Sequence, residues 1–199
     1  MKIICVVSNY REHILEADDH LCEGPIFFLK PDSSILLKGR PFFIPEFSDS
    51  IFHNVGLLVK INRIGKYISK EFAHKYYDEI GLGVDFTATD VLDKLRRDYL
   101  PWEKSKCFDG SMVIGKFIDK KNLINDFSLL KNGLEVQRGN INDMIFSIND
   151  IISHVSKFMT MKIGDIIFTG TPFGSSIVKP NDLLVGRLEG EQMFEIKIK

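Results

Sequence analysis

Apolar residues in this chain gather in short runs. Val, Ile, Leu and Phe dominate residues 2–7, 26–29, 55–61, 80–87, 112–117, 127–131, 134–138, 165–169 and 193–198, each bounded by Gly, Pro, Asn or Asp. Runs of that length closed by turn formers predict strands. Asn132-Gly133 falls between two of them and, because both residues tolerate positive φ, predicts a hairpin turn. Three stretches have a helical period instead. Residues 70–79 follow the cap candidate Ser69 and put Phe72, Ala73, Tyr76 and Tyr77 on one side. Residues 90–99 follow Thr87 and carry the stripe Val91, Leu92, Leu95, while 145–159 repeats Ile145, Ile148, Ile151, Ile152, Val155 and Phe158. Strands outnumber helices and do not alternate regularly with them. That argues against a doubly wound α/β sheet and for a strand-rich α+β fold.

Composition narrows the class. The chain has 199 residues without a repeat, a low-complexity tract or a Gly/Ser/Pro linker, so a single domain spanning 1–199 is expected. Its formal net charge is −1, with both signs scattered along the chain, which offers no basic stripe for nucleic acid and no polybasic cluster for a membrane surface. Apolar runs such as Ile26-Phe27-Phe28-Leu29 are too short to span a bilayer. Met1-Lys2-Ile3-Ile4-Cys5-Val6-Val7 leads into Ser8-Asn9-Tyr10-Arg11 without a small-residue cleavage site and reads as a buried strand. Cys5, Cys22 and Cys107 are odd in number and form no CxxC pair, which fits core thiols in a reducing compartment and an expected cytoplasmic location.

Four segments are unlike ordinary core. His13 and Glu16 stand three apart, on one face if that stretch is helical. A carboxylate beside an imidazole orients the ring and raises its basicity, as a general base requires, although such a pair also occurs as a surface ion pair. Asp85 sits in the apolar stretch Gly81–Asp90, as a metal or substrate ligand or a capping residue. Trp102 precedes Lys106 by four residues in a non-periodic segment. Finally, Gly164–Gly174 is a strand followed by a Gly-rich turn whose backbone N–H groups and hydroxyls would suit an anion.

In order and spacing these segments closely resemble the fumarylacetoacetate hydrolase family, especially its small one-domain members acting on acylpyruvates and oxaloacetate. Asn9-Tyr10, Pro25-x-Phe27-Phe28-x-Lys30-Pro31, Asp85-x-Thr87, Pro101-Trp102 to Lys106, Asn132-Gly133, Gln137-x-Gly139, Thr169-Gly170-Thr171-Pro172-x-Gly174, Asp182 and Gly190 carry the resemblance across nearly the whole chain. It implies a strand-rich roll with a mixed sheet and a few peripheral helices, paired as a homodimer. It also implies a divalent ion, usually magnesium, on three carboxylates, and a His/Glu dyad on a mobile N-terminal segment. The chemistry is carbon–carbon hydrolysis, decarboxylation or keto–enol isomerisation of small keto or diketo acids, all through an enolate. By position, His13 and Glu16 match the dyad, Asp85 the third metal carboxylate, and Lys106 the substrate-holding lysine. Gly170 and Thr171 lie in the substrate-contacting turn.

The sequence departs from that pattern at the metal. Two of the three carboxylates belong to a His-x-Glu-x-Glu stretch, which here reads Ile51-Phe52-His53-Asn54-Val55-Gly56-Leu57. Counting back from Ile61 puts Asn54 and Gly56 at the two lost ligand positions and Phe52 at the His. Shifting by one to use His53 puts Val55 and Leu57 there instead, and neither register supplies an acid. Glu46 and Asp49 are the nearest carboxylates. Thr89 and Leu92 stand where an Arg and a Gln are usual. Magnesium is held mainly by anionic oxygen, so metal binding is expected to be weak, substrate-dependent or absent. Three functions then compete. One is a keto-acid hydrolase or decarboxylase with a degenerate metal site. The second is a non-catalytic relative that binds keto acids or pairs with an active paralogue. The third is a metal-free tautomerase.

Overall fold

The computed structural model describes residues 1–11, 23–122 and 125–199. In chain order its elements are β1 (Ile3–Val7), β2 (Ile26–Lys30), β3 (Ile51–Ile61), α1 (Lys70–Ala73), β4 (Tyr77–Ala88), α2 (Thr89–Arg97), α3 (Glu103–Lys106) and β5 (Met112–Asp119). There follow β6 (Asp126–Lys131), β7 (Leu134–Asn140), α4 (Ile148–Phe158), β8 (Ile166–Phe168), β9 (Ser176–Ile177), β10 (Leu183–Leu188) and β11 (Glu191–Lys197). A large sheet is ordered β2-β1-β8-β3-β4-β5, with β9 added on β3. It is mixed: β1 runs parallel to β8, and β2, β3, β4 and β5 pair with their neighbours antiparallel. A second sheet, β11-β10-β6-β7, is antiparallel throughout. The expected strand-rich α+β roll is what the chain forms.

Alternation along β3 and β4 decides what each face of the large sheet does. Val55, Leu57, Val59, Leu82, Val84 and Phe86 point into the main core, together with Phe127, Leu129 and Leu184 of the second sheet and Ile151, Ile152 and Val155 of α4. Each such side chain, fully buried, contributes roughly 1.5–3 kcal/mol. On the opposite face a smaller cluster of Ile3, Cys5, Leu58, Met112, Ile166 and Phe168 leaves room for polar side chains beside it. The candidate site lies on that face.

Several boundaries differ from the sequence pattern, each for a tertiary reason. The helix expected over 70–79 is one turn, Lys70–Ala73, and Tyr77 already pairs with Ile61 in the long β3–β4 ladder. That ladder outweighs a local helical stripe whose Tyr residues also suit a strand. The helix expected over 145–159 starts at Ile148, because Ser147 forms a capping box with Asp150. Strand β3 begins at Ile51 rather than residue 55, which brings Phe52 and Asn54 into the sheet. Strand β10, interrupted in sequence by Gly186, was not expected. The Phe194 ring fills the space beside that glycine, where a Cβ would lie 2.2 Å from it. At the predicted hairpin Asn132 and Gly133 do take positive φ, 55° and 83°.

Candidate functional site

Asp85 and Thr87, two residues apart on β4, point to the same side of the large sheet. Asp85 is 3% exposed. Two lysines converge on it from different elements. Lys30, the last residue of β2, places Nζ 2.5 Å from Asp85 Oδ1 and donates to the carbonyl and hydroxyl of Ser111 at 3.0 and 2.8 Å. Lys106 ends the single-turn α3, where the Ser105 hydroxyl donates to the Trp102 carbonyl at 2.7 Å and the turn carries the lysine inward. Its Nζ donates to Asp85 Oδ2 at 2.9 Å and to Thr87 Oγ1 at 2.6 Å, and lies 5.5 Å from the centre of the Phe28 ring. The Ser111 hydroxyl donates to the Lys106 carbonyl at 3.0 Å and so ties both lysines to one residue.

The electrostatics follow from this packing. Burial alone would push the Asp85 carboxyl upward, but the nearby Lys106 and Lys30 ammoniums outweigh it and hold the group below the usual carboxylate range. Beside them Cys5 is pushed far up, first by burial and then by the Asp85 charge, so it stays a thiol.

The two lost ligand positions lie on the same face. Asn54 stands opposite Asp85 and Gly56 opposite Gly83 in the β3–β4 ladder. Asn54 donates through Nδ2 to the Asp85 carbonyl at 2.9 Å and to Thr87 Oγ1 at 3.0 Å, and its Oδ1 accepts from the Ser175 hydroxyl at 2.7 Å. Both ends of its amide are therefore engaged. At Gly56 a Cβ would lie 2.1 Å from the Gly170 carbonyl oxygen and 2.6 Å from the Phe168 ring, so backbone and an aromatic fill the space of a side chain. Among the described residues no group of three or more His, Cys, Asp or Glu could hold a metal. Glu46 and Asp49 are exposed and belong to no such group.

His53 points the other way. It is fully buried, its Nδ1 2.9 Å from Gln137 Oε1 and its Nε2 2.8 Å from the Ser176 hydroxyl. Burial lowers its pKa, with the Gln137 hydrogen bond opposing. Because Gln137 Oε1 can only accept, the neutral ring carries its proton on Nδ1. Thr89, in place of an Arg, bonds Ser50, and Leu92, in place of a Gln, is a buried residue of α2.

The Gly-rich turn is fixed from two sides. Buried Asn9 donates to the Thr169 carbonyl at 2.8 Å and the Phe146 carbonyl at 3.1 Å, and accepts from the Phe146 N–H at 2.9 Å. Gln137 donates to Thr171 Oγ1 at 3.1 Å and the Pro172 carbonyl at 3.0 Å, and accepts from the Val55 N–H at 3.1 Å. Gly170 and Gly174 adopt φ of 106° and 103°, open only to glycine at low cost. Of the residues singled out in sequence, Asp85, Lys106, Asn54, Gly56 and Gly170 thus meet on one face, Thr171 follows in the turn with its hydroxyl bonded by Gln137, and His13 and Glu16 lie outside the described residues. Sequence reasoning gave no role to Lys30, Ser111 or Ser175. Lys30 was legible as a member of the stretch Pro25-x-Phe27-Phe28-x-Lys30-Pro31 that carries the family resemblance, but not as a partner of Asp85.

Comparison with known proteins agrees with this architecture. The family model for fumarylacetoacetate (FAA) hydrolase, C-terminal, matches residues 2–197. A mitochondrial oxaloacetate tautomerase of Rattus norvegicus is 35% identical, over 99% of this chain and 91% of its own. An oxaloacetate tautomerase of Escherichia coli strain K12 is 34% identical, over 96% and 90%. A fumarylacetoacetate hydrolase family protein from Yersinia pestis CO92 superposes with a TM-score of 0.92 at 34% identity, covering 100% of this chain and 93% of that one. The fumarylpyruvate hydrolase of Pseudomonas aeruginosa, solved with Mn2+ and pyruvate, gives 0.90 at 27% identity, covering 100% and 89%. The chain belongs to the fumarylacetoacetate hydrolase family.

Proposed function

We propose that the protein acts on small keto acids of the oxaloacetate kind through their enolate, and that its reaction is keto–enol proton transfer rather than carbon–carbon cleavage. The substrate class is supported by relatives named for oxaloacetate tautomerisation and by the neighbour that holds pyruvate. The reaction is supported by one observation above all: Asp85 is held between two ammonium groups.

A hard divalent ion needs several oxygen ligands, mostly anionic. Here both Asp85 oxygens face lysines, the Asn54 amide is engaged at both ends, and Gly56 has no room for a side chain. The residues present do not fit magnesium or manganese, and no step of the mechanism passes through one. Carbon–carbon cleavage without such an electrophile loses several kcal/mol of transition-state stabilisation. Moving a proton asks less: a positioned base and a positive charge near the carbonyl oxygen.

In this reading Lys106 donates to the keto or enolate oxygen, the turn at Gly170 and Thr171 receives a carboxylate, and His13, oriented by Glu16, exchanges the α-proton. Asn9 packs against Gly170, where an added Cβ would come within 3.0 Å of the Asn9 Cβ. His13 follows four residues later, within about 14 Å of extended chain. A homodimer is proposed on the same family grounds, and a cytoplasmic location on the odd number of cysteines with no CxxC pair.

The test is to follow loss of enol absorbance from oxaloacetate, and pyruvate release, with the full chain in EDTA. Tautomerisation above the buffer rate, abolished by His13→Ala, with no added pyruvate, is the expected result. Pyruvate release that requires a divalent ion would overturn the reading. Ligand binding without any acceleration would favour the non-catalytic binder, which the fully engaged Asn54 amide also suits.

A further inference from the structure

We infer that Lys30 is the resident cation of this site: its ammonium neutralises Asp85 from within, so the pocket takes a keto-acid anion with no divalent ion. This rests on the keto-acid reading above, but it concerns the charge of the site and not turnover.

The Lys30 side chain is fully buried; its ammonium donates to the Ser111 carbonyl and hydroxyl and lies in ion-pair contact with Asp85 Oδ1. Such a group has no solvent to turn to, so Ser111 and Asp85 together hold its position. It stands against an oxygen of Asp85, the one carboxylate left at the inferred ligand positions. Phe168 and the Gly170 carbonyl occupy the space of a second ligand at Gly56, which makes the arrangement self-consistent rather than a single lost residue.

Charge balance then points to the ligand. One carboxylate faces two ammoniums, and an uncompensated buried cation is expensive. The excess positive charge sits at Lys106, whose side chain is 10% exposed. Among the described residues Lys106 bonds Asp85 and Thr87, which leaves one N–H for a ligand. Thr87 is held in turn by Asn54, and Asn54 by Ser175, so that the polar chain orients the lysine. An oxyanion next to a carbonyl or carboxylate, as in a keto acid or its enolate, supplies the missing negative charge.

Oxalate, an enolate mimic, is the probe. It is titrated calorimetrically into the full chain in EDTA and again in magnesium. The natural protein is expected to bind oxalate with the same affinity in both buffers. Lys30→Met and Lys106→Met are each expected to weaken binding about tenfold or more in both buffers, as loss of a charge-assisted contact does. Lys30→Arg, which keeps the charge, should retain more affinity than Lys30→Met, which a merely structural role for the buried stem would not predict. Oxalate binding that appears only with magnesium would overturn the inference, as would full affinity in Lys30→Met. The comparison of buffers needs no variant, so poor folding of a variant leaves the claim exposed. Metal-free oxalate binding without tautomerisation would sink the proposed reaction and leave this inference standing.

Discussion

Asp85 is ionised in the fold at a cost that its partners repay. Burial opposes its charge, Lys106 and Lys30 favour it, and the balance leaves its folded pKa below the unfolded one. A depressed carboxylate stabilises the fold above its unfolded value, roughly pH 3.9, and that contribution is lost as pH falls through the folded value. Replacing Asp85 by Asn strands two buried ammoniums and is expected to cost about 3–5 kcal/mol in urea denaturation at neutral pH. A loss under about 1 kcal/mol, the range of an exposed pair, would show that the lysines are solvated. Gly56 makes the opposite kind of demand. A Cβ there meets backbone oxygen at 2.1 Å, so Gly56→Ala should destabilise by about 1–3 kcal/mol. For the same reason restoring carboxylates at both Asn54 and Gly56 is expected to unfold the protein rather than rebuild a metal site. Asn54→Glu alone should fold, since Asn54 reaches polar partners only; circular dichroism of the two variants separates these outcomes.

Between elements, β3 is held to β7 and to the Gly-rich turn by His53 and Gln137. His53 is kept neutral chiefly by burial, with its folded pKa below the unfolded one. Its contribution is therefore fully present above roughly pH 6.5 and is lost as pH falls from there through the folded value. Melting temperatures measured between pH 7.5 and pH 5, a window set by about that reference value, should fall for the natural protein and fall less for His53→Gln. An equal slope in both would remove His53 from the acid response. Gln137→Leu leaves the Val55 N–H and the Pro172 carbonyl without their partner, and should cost about 1–3 kcal/mol. These elements also show what a sequence can carry. The hairpin at Asn132-Gly133 was legible because its φ requirement is local. The 70–79 stretch was not, because pairing of Tyr77 with Ile61 is decided by β3, far away in the chain. Likewise β10 was hidden by Gly186, whose missing side chain makes sense only beside Phe194.

Across the whole molecule, the family and the face that gathers Asp85, Lys106, Asn54 and Gly56 were legible in sequence, since each occupies a definite place in a pattern that runs the length of the chain. What surrounds Asp85 and Asn54 was not. Lys30, Ser111 and Ser175 come from three separate segments, and only folding brings them beside Asp85 and Asn54. The pairing into a homodimer implied by the family is expected to give twice the 22.8 kDa chain mass in light scattering, and a monomer at micromolar concentration would contradict it. The central claim, that Asp85 is held by Lys30 and Lys106 and leaves no site for a divalent ion, is tested most directly by calorimetric titration of magnesium into the natural protein without substrate. The account predicts no saturable binding up to millimolar magnesium. Saturable binding at micromolar magnesium would mean that Asp85 is free to leave Lys30 and Lys106, and would contradict it.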